Sequence, residues 1–409
     1  MNSVALIIPR LDENVEIHEF DGGNFLVHQT EYDYRIKVTK LVKDILELVD
    51  GKREIGRICQ EMLRSHHIQL EPNQVHHILF DKLAKYGILV SSLEVKKTDN
   101  ARYISMRIML FSTNQVEKIS HLLGACFDPR TFYFSLLTFL SFIAVNFIQN
   151  FSLETFTTSI DKKLVATTFF LNIISLFLHE LGHATACRRF GAKHGGIGFG
   201  FYMLSPVVFA DVSDAWKLSP PKRIIIDLAG FYMQAIFTSS LLIFYHLTGD
   251  AQILQISFLF LIGMFLNLNP FFRRDGYWAL CDATQISNLK GKSNSALLSL
   301  AKSLIGRTDR APLTTLDYFL ILYGLLDWAF IAATLLTILV NNPSSLVYFP
   351  YNLFVFLKTL YQAFPAIDLD WIIKSWIDFL LPFIFYMLLY KLLIRPKIKK
   401  LINQNIGKP

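Results

Sequence analysis

Apolar and polar positions divide this chain near residue 130. Before it, apolar residues recur at short spacings among charges, and beyond it they run on in blocks of about twenty. In the first part, Phe25 to Lys37 alternates in places like a strand. Thr39 can cap a helix reaching Val49, with an apolar stripe of Leu41, Ile45, Leu48 and Val49 that ends at the Asp50-Gly51 turn. A second amphipathic helix carries Ile55, Ile58, Met62 and Leu63. A third, from Pro72, carries Val75, Ile78, Leu79 and Leu83 and stops at Gly87 before the short apolar strand Ile88-Leu89-Val90. This spacing predicts a small α+β, winged-helix-like domain over residues 20–95, preceded by an extension (1–19) and followed by a linker (96–130).

A membrane span needs about 20 apolar residues. Six segments qualify: 131–149, 164–187, 223–246, 253–272, 317–340 and 371–394. The expected fold is therefore a polytopic α-helical membrane protein with a transmembrane domain over 131–395, a small N-terminal cytosolic domain and a basic cytosolic tail over 396–409. Loop charges set the orientation. With the N-terminal domain in the cytosol, Arg188, Arg189, Lys222, Arg223, Arg273, Arg274, the Lys290 to Arg310 group and the Arg395 to Lys400 group all face that side, and the opposite loops hold little beyond Lys162 and Lys163. Residues 346–364 are interrupted by Pro350, Lys358 and Gln362. A seventh span there would put the basic tail outside, so this stretch is expected to be interfacial or re-entrant.

Composition agrees with that setting, because 52% hydrophobic and 18% charged residues over 409 positions are too apolar for an ordinary soluble domain. The opening residues lack a basic n-region and a sustained apolar h-region, so no cleavable signal peptide is expected. Cys59, Cys126, Cys187 and Cys281 have no CxxC spacing and suggest neither a disulfide framework nor a thiolate metal site. The net charge of +7 has no basic helix or RNA-binding signature beside it, which points to an anionic lipid bilayer and away from nucleic acid.

Within the apolar run from Leu164 to Cys187 stands His179-Glu180-Leu181-Gly182-His183, an HExxH pattern. Histidines at i and i+4 share one helix face and can hold Zn²⁺, while the intervening glutamate can serve as general base toward water. Ionisable groups inside a span cost several kcal/mol, so their presence there points to a function. A catalytic zinc takes three protein ligands and keeps one open position, so two histidines leave a ligand to be found. His179 and His183 lie roughly 7 to 13 Å from the cytosolic end of their span at about 1.5 Å per residue. The fourth span ends on the same side with Asn267-Leu268-Asn269-Pro270-Phe271-Phe272-Arg273-Arg274-Asp275-Gly276, and Asp275, after a proline-broken helix, is the natural third ligand.

HELGH in one span and NxxPxxxxDG at the end of a later one resemble the site-2 protease family of intramembrane zinc metalloproteases, over residues 164–282. The resemblance implies zinc on His179, His183 and Asp275, and Glu180 as general base. It also implies that Asn267 orients substrate or stabilises the tetrahedral intermediate, with Pro270 shaping the helix break. The variant NPxxRxDGYW, with Arg274 where a leucine commonly precedes the DG pair, looks like the peptide zinc metalloprotease subgroup, often encoded near peptide-modifying enzymes or transporters. Gln234 stands where the family often has a smaller residue. The Asp50-Gly51 turn and the ending Leu83 to Leu89 resemble PqqD-like domains, which would add an extended leader peptide to a sheet edge.

The Gly-rich loop Gly191 to Ser213 can be a re-entrant hairpin that pairs with an unwound substrate, or a packed connector. Its His194 can be an alternative ligand, a proton donor or a packing residue. His66-His67 and His76-His77 read as solvated helix faces, since adjacent histidines point about 100° apart. Three functions compete. The first is a membrane-bound zinc endopeptidase that matures a ribosomally made modified peptide or bacteriocin precursor in a bacterial cell membrane, with both termini cytoplasmic. The second is a non-catalytic zinc-binding exporter or immunity protein, and the third is a protease that releases a membrane-tethered transcription factor. The complete HExxH favours an enzyme, because a binder would not need Glu180.

Overall fold

The structure, a computed structural model, describes residues 3–20, 22–91, 95, 104–152, 161–202, 205–305, 312–341 and 343–363, together with 382, 383, 385, 386 and 390. It divides into two units, Met1–Ser159 with Thr167–Ser287, and Ile160–Ala166 with Asn288–Pro409.

The first unit begins with an antiparallel meander of β1 (Val15–Glu19), β2 (Asn24–Gln29) and β3 (Tyr34–Thr39), in the order β1-β2-β3. Helices α1 (Lys40–Glu47), α2 (Ile55–His66) and α3 (Pro72–His76, continued as a wider π turn through Leu83) follow. Their apolar stripes meet in one core, in which Val27, Ile45, Leu46, Ile55, Ile58, Met62, Val75, Leu79 and Ile88 are fully buried. Gly87 ends the last turn at φ +72, where the Tyr32 ring would stand 2.8 Å from an added β-carbon. The segment expected to be a closing strand makes a single bridge, Leu89 to Leu11. Its partner comes from residues 1–19, which supply β1 and are part of this fold; a period-two pattern over five residues is too short to show that from sequence alone.

Residues 96–130, expected to be a linker, hold structure from Ile104 onward: strand β4 (Ile104–Phe111), helix α4 (Thr113–Leu123) with a Ser112–Gln115 capping box, and a short 3-10 turn to Phe127. Helices α5 (Pro129–Asn150) and α6 (Lys162–Arg189) come next. They are followed by the hairpin β5 (Ile197–Tyr202) and β6 (Ser205–Ala210), then α7 (Pro220–Thr248), α8 (Ala251–Leu268) and α9 (Asp275–Thr284). The strand β4 joins the hairpin to make a second sheet, ordered β4-β5-β6. This pairing of β4 with β5 spans 86 to 98 positions of sequence, which local periodicity cannot reveal.

Helix α7 packs on α5 through Phe132, Tyr232 and Phe127 and on α8 through Ala235, Leu242, Phe258 and Met264. It meets α6 at Gly182, where an added β-carbon would stand 2.5 Å from the Ala229 carbonyl oxygen; small residues bring two apolar helices together in this way. Phe20, at the end of β1, sits between the Trp216 ring at 5.3 Å and the Arg223 guanidinium at 4.9 Å, so the N-terminal sheet rests against the start of α7. Arg223 in turn forms a buried, two-pronged bridge to Asp282 of α9 at 2.7 and 2.9 Å.

The second unit contains α10 (Leu289–Leu304), α11 (Thr315–Asn341), α12 (Pro343–Val347) and α13 (Phe349–Ala363), with Lys290 bonded to Asp327 at 2.8 Å. Among the described residues, five helices are long and apolar enough to cross a membrane: Pro129–Asn150, Lys162–Arg189, Pro220–Thr248, Ala251–Leu268 and Thr315–Val340. The segment 371–394 and the tail 396–409 fall almost wholly outside the described residues. The stretch expected to be interfacial forms the 15-residue helix α13. The fourth apolar helix ends at Leu268, four residues before the expected boundary. Asn269 precedes Pro270 and takes an extended ψ of 116, as steric conflict with a following proline ring requires.

Candidate metal centre

Two helix ends bring three side chains that can ligate a metal to one point. On α6, His179 and His183 lie one turn apart, with Nε2 atoms 3.1 Å from each other. Asp275 opens α9, and its Oδ2 is 3.0 Å from Nε2 of His179 and 3.3 Å from Nε2 of His183. Among the described residues these three form the one group of histidines, cysteines and carboxylates arranged to hold a metal. A tetrahedral cation with bonds of about 2.0–2.1 Å has ligand-to-ligand edges of about 3.3 Å, so three edges of 3.0 to 3.3 Å fit one well. Two imidazoles and a carboxylate also suit zinc chemically and leave a fourth position open.

The backbone makes this convergence possible at two glycines. An added β-carbon at Gly276 would stand 2.0 Å from the Leu268 carbonyl oxygen, so only glycine lets α9 start against the end of α8 and carry Asp275 inward. At Gly230 on α7, a β-carbon would meet the His179 ring at 2.3 to 2.5 Å. The ring of His179 thus lies flat against the backbone of α7. His183 is aimed by a hydrogen bond from Nδ1 to the Ile226 carbonyl at 2.7 Å, the outer contact that fixes the tautomer of a ligating imidazole. By contrast, Nδ1 of His179 is buried with no hydrogen-bond partner.

Glu180 projects beside the cluster and accepts a hydrogen bond from the Ala210 backbone N–H at 2.8 Å through Oε2. The strand β6 therefore ends against this carboxylate. Asn267 donates from Nδ2 to Oδ2 of Asp275 at 2.6 Å, which places its amide beside the ligand set. Arg274 has an exposed side chain and leaves that arrangement undisturbed. Gln234 bonds to Ser175 at 3.2 Å, filling the interface of α6 and α7 one turn beyond Gly230.

His194 lies elsewhere. Its Nε2 is 2.9 Å from Glu117 of α4, and its Nδ1 is 2.7 Å from the Gly195 carbonyl. With acceptors at both nitrogens it packs as a clasp between α4 and the loop before β5. Arg188 also bonds to Glu117, and that contact, with His194 beside it, holds the Glu117 carboxyl below its ordinary range. His66 faces Asp44 and His77 faces Asp81, two separate pairs. Among the described residues the four cysteines form no disulfide, and burial pushes the Cys59 thiol up.

Several contributors were not read from the sequence. The Ile226 carbonyl and the Ala210 N–H carry no side-chain signal. Gly230 could have been found as a small residue inside an apolar span. Asp227, one residue past Ile226, lies within electrostatic reach of His183 and Asp275 and has a buried Oδ2 without a partner; a carboxylate inside the first turns of an apolar span is its signal.

Among known proteins, the chain is similar to one from Bacillus subtilis (strain 168) named "Putative peptide zinc metalloprotease protein YydH", at 26% identity over 242 residues, covering 54% of this chain and 90% of that one. No family model matches the chain, and no solved structure matches it significantly.

Proposed function

We propose that this chain is a zinc-dependent intramembrane endopeptidase of the site-2 protease kind, which matures a ribosomally made, modified peptide or a bacteriocin precursor. The observation that carries the reading is the placement of Glu180 beside the convergent His179, His183 and Asp275 inside an apolar helix. The name of the Bacillus relative supports the same chemistry.

Zinc, when bound, supplies a Lewis acid that acidifies water and polarises the scissile carbonyl. His179, His183 and Asp275 would hold it, and Asn267 steadies the Asp275 carboxylate through its amide. Asn267 would also orient substrate or stabilise the tetrahedral intermediate, as the resemblance implies. Glu180 accepts the proton of the attacking water and returns it to the leaving amine. The Ala210 N–H holds one oxygen of this carboxylate, which fixes its direction toward the cluster.

A helical peptide bond is shielded and must be extended before its carbonyl can be attacked. The hairpin supports that requirement, since β6 is an edge strand and Ala210 turns its N–H away from β5 toward Glu180. A substrate strand laid along β6 would deliver its peptide bond to the cluster. The sheet β1-β2-β3 offers two further edges, β1 and β3, where a leader peptide could add as in PqqD-like domains. The loop charges support an orientation with both termini and the open side of the centre in the cytosol of a bacterial cell, and a multi-pass chain in the cell membrane.

The test is mass spectrometry of candidate precursor peptides, such as one encoded beside this gene, incubated with the full chain in proteoliposomes. Glu180→Gln should keep zinc and lose cleavage by at least about 10²-fold, the low end for removal of a general base. Full cleavage by that variant would sink the proposal.

A further inference from the structure

The two histidines of the centre differ in their outer contacts. His183 is aimed by the Ile226 carbonyl, whereas Nδ1 of His179, equally buried, has no partner. A ligating imidazole needs an acceptor on its second nitrogen to hold the proton there and keep the lone pair on the metal side. One turn along α7 from Gly230, whose backbone lies against the His179 ring, stands Gln234. Side chains on a helix lean toward its N-terminus and cover the turn before their own Cα. Gln234 therefore leans back toward the turn at Gly230, against which the His179 ring lies.

Its amide is already held from one side. Nε2 donates to Oγ of Ser175 at 3.2 Å, and Ser175 is buried one turn before His179 on α6. That bond commits the amide nitrogen and leaves Oε1 buried without a partner. One helix interface thus carries an unmatched donor on His179 and an unmatched acceptor on Gln234, each costly to bury alone. We propose that Gln234 is a positioning residue for the metal centre: its Oε1 accepts the Nδ1 proton of His179 through one bridging water, and so holds Nε2 as the ligand. Ser175 orients the amide for this purpose. The inference rests on the zinc reading above and adds a residue to it.

The experiment is zinc binding by the purified full chain in detergent, measured by chelator competition, with thermal unfolding of the zinc-free protein in parallel. Gln234→Leu should weaken zinc binding about 10- to 100-fold, the usual effect of losing an outer-shell partner. Gln234→Glu keeps an acceptor at the same reach and should stay within a few-fold of the native affinity. Native affinity in Gln234→Leu would overturn the inference. So would equal zinc loss in both variants accompanied by equally lowered unfolding temperatures, because that pattern belongs to packing alone. His183→Ala separates the two claims: if the native chain binds no more zinc than this variant, the zinc reading fails and this inference falls with it.

Discussion

The backbone nitrogen of Ala210 stands 2.8 Å from Oε2 of Glu180, which ties the outer edge of β6 to the motif helix. A hairpin and a helix from different parts of the chain are thereby held in one register. A hydrogen bond to a charged group contributes about 1.5–3 kcal/mol. Ala210→Pro removes this donor, and because the N–H points away from β5, the ladder between β5 and β6 keeps its bonds. Cleavage should fall roughly 10- to 100-fold at unchanged zinc content, by the conversion of about 1.4 kcal/mol per factor of ten. Unchanged turnover in Ala210→Pro would show that Glu180 needs no such support.

Gly230 has no room for a side chain, since the first added carbon would overlap the His179 ring. Gly230→Ala must therefore push α6 and α7 apart or turn the imidazole. Overpacking of this kind costs about 1–3 kcal/mol. The expected result is a lower unfolding temperature together with loss of zinc, read by elemental analysis of the purified variant. Full zinc occupancy in that protein would mean the ring is not pinned against α7.

Arg223 and Asp282 are both nearly buried and face each other in a paired geometry between α7 and α9. Arg223→Leu leaves the Asp282 carboxylate buried without its cation, at a cost of about 3–5 kcal/mol. Replacing both residues by leucine should recover much of that loss. Chemical denaturation of the two variants checks the sign, and equal stability of the single and double variants would contradict it.

Glu117 is ionised more readily in the folded chain than its ordinary value of 4.5 allows, because the bond from Arg188, aided by His194, favours its charged form. A depressed carboxyl contributes stability that is complete above the unfolded value and lost as pH falls through the lower folded value. The stability difference between the native chain and Glu117→Gln should be constant from neutral pH down to about 5 and shrink below that. Thermal unfolding across this range measures it, and a difference that grows on acidification would reverse the assignment.

The N-terminal helices and the five described apolar helices were legible because each is a local pattern: Ile45, Ile58 and Val75 recur at helical spacing, and runs such as Ala251 to Leu268 are continuous. The candidate ligand types are legible too, since HELGH fixes two imidazoles one turn apart whatever surrounds them. The meeting of Asp275 with that pair was an expectation drawn from depth along two spans. The distances of 3.0 and 3.3 Å come only from helices packing through Gly182, Gly230 and Gly276. Strand β4 is not legible in the sequence because its partner β5 is distant, and no periodicity within Ile104 to Phe111 names that partner. For His194 the sequence leaves ligand, proton donor and packing residue open, and the approach of Glu117 from α4, itself bonded to Arg188 of α6, is what holds it as a packing residue. Short-range order along the chain decides which residues share a helix face and which segments are apolar. Long-range packing decides which backbone amide reaches Glu180, which carbonyl aims His183, and which glycine lies under His179. Those contacts join positions separated by 30 to 51 residues, and nothing in the intervening sequence encodes their distance.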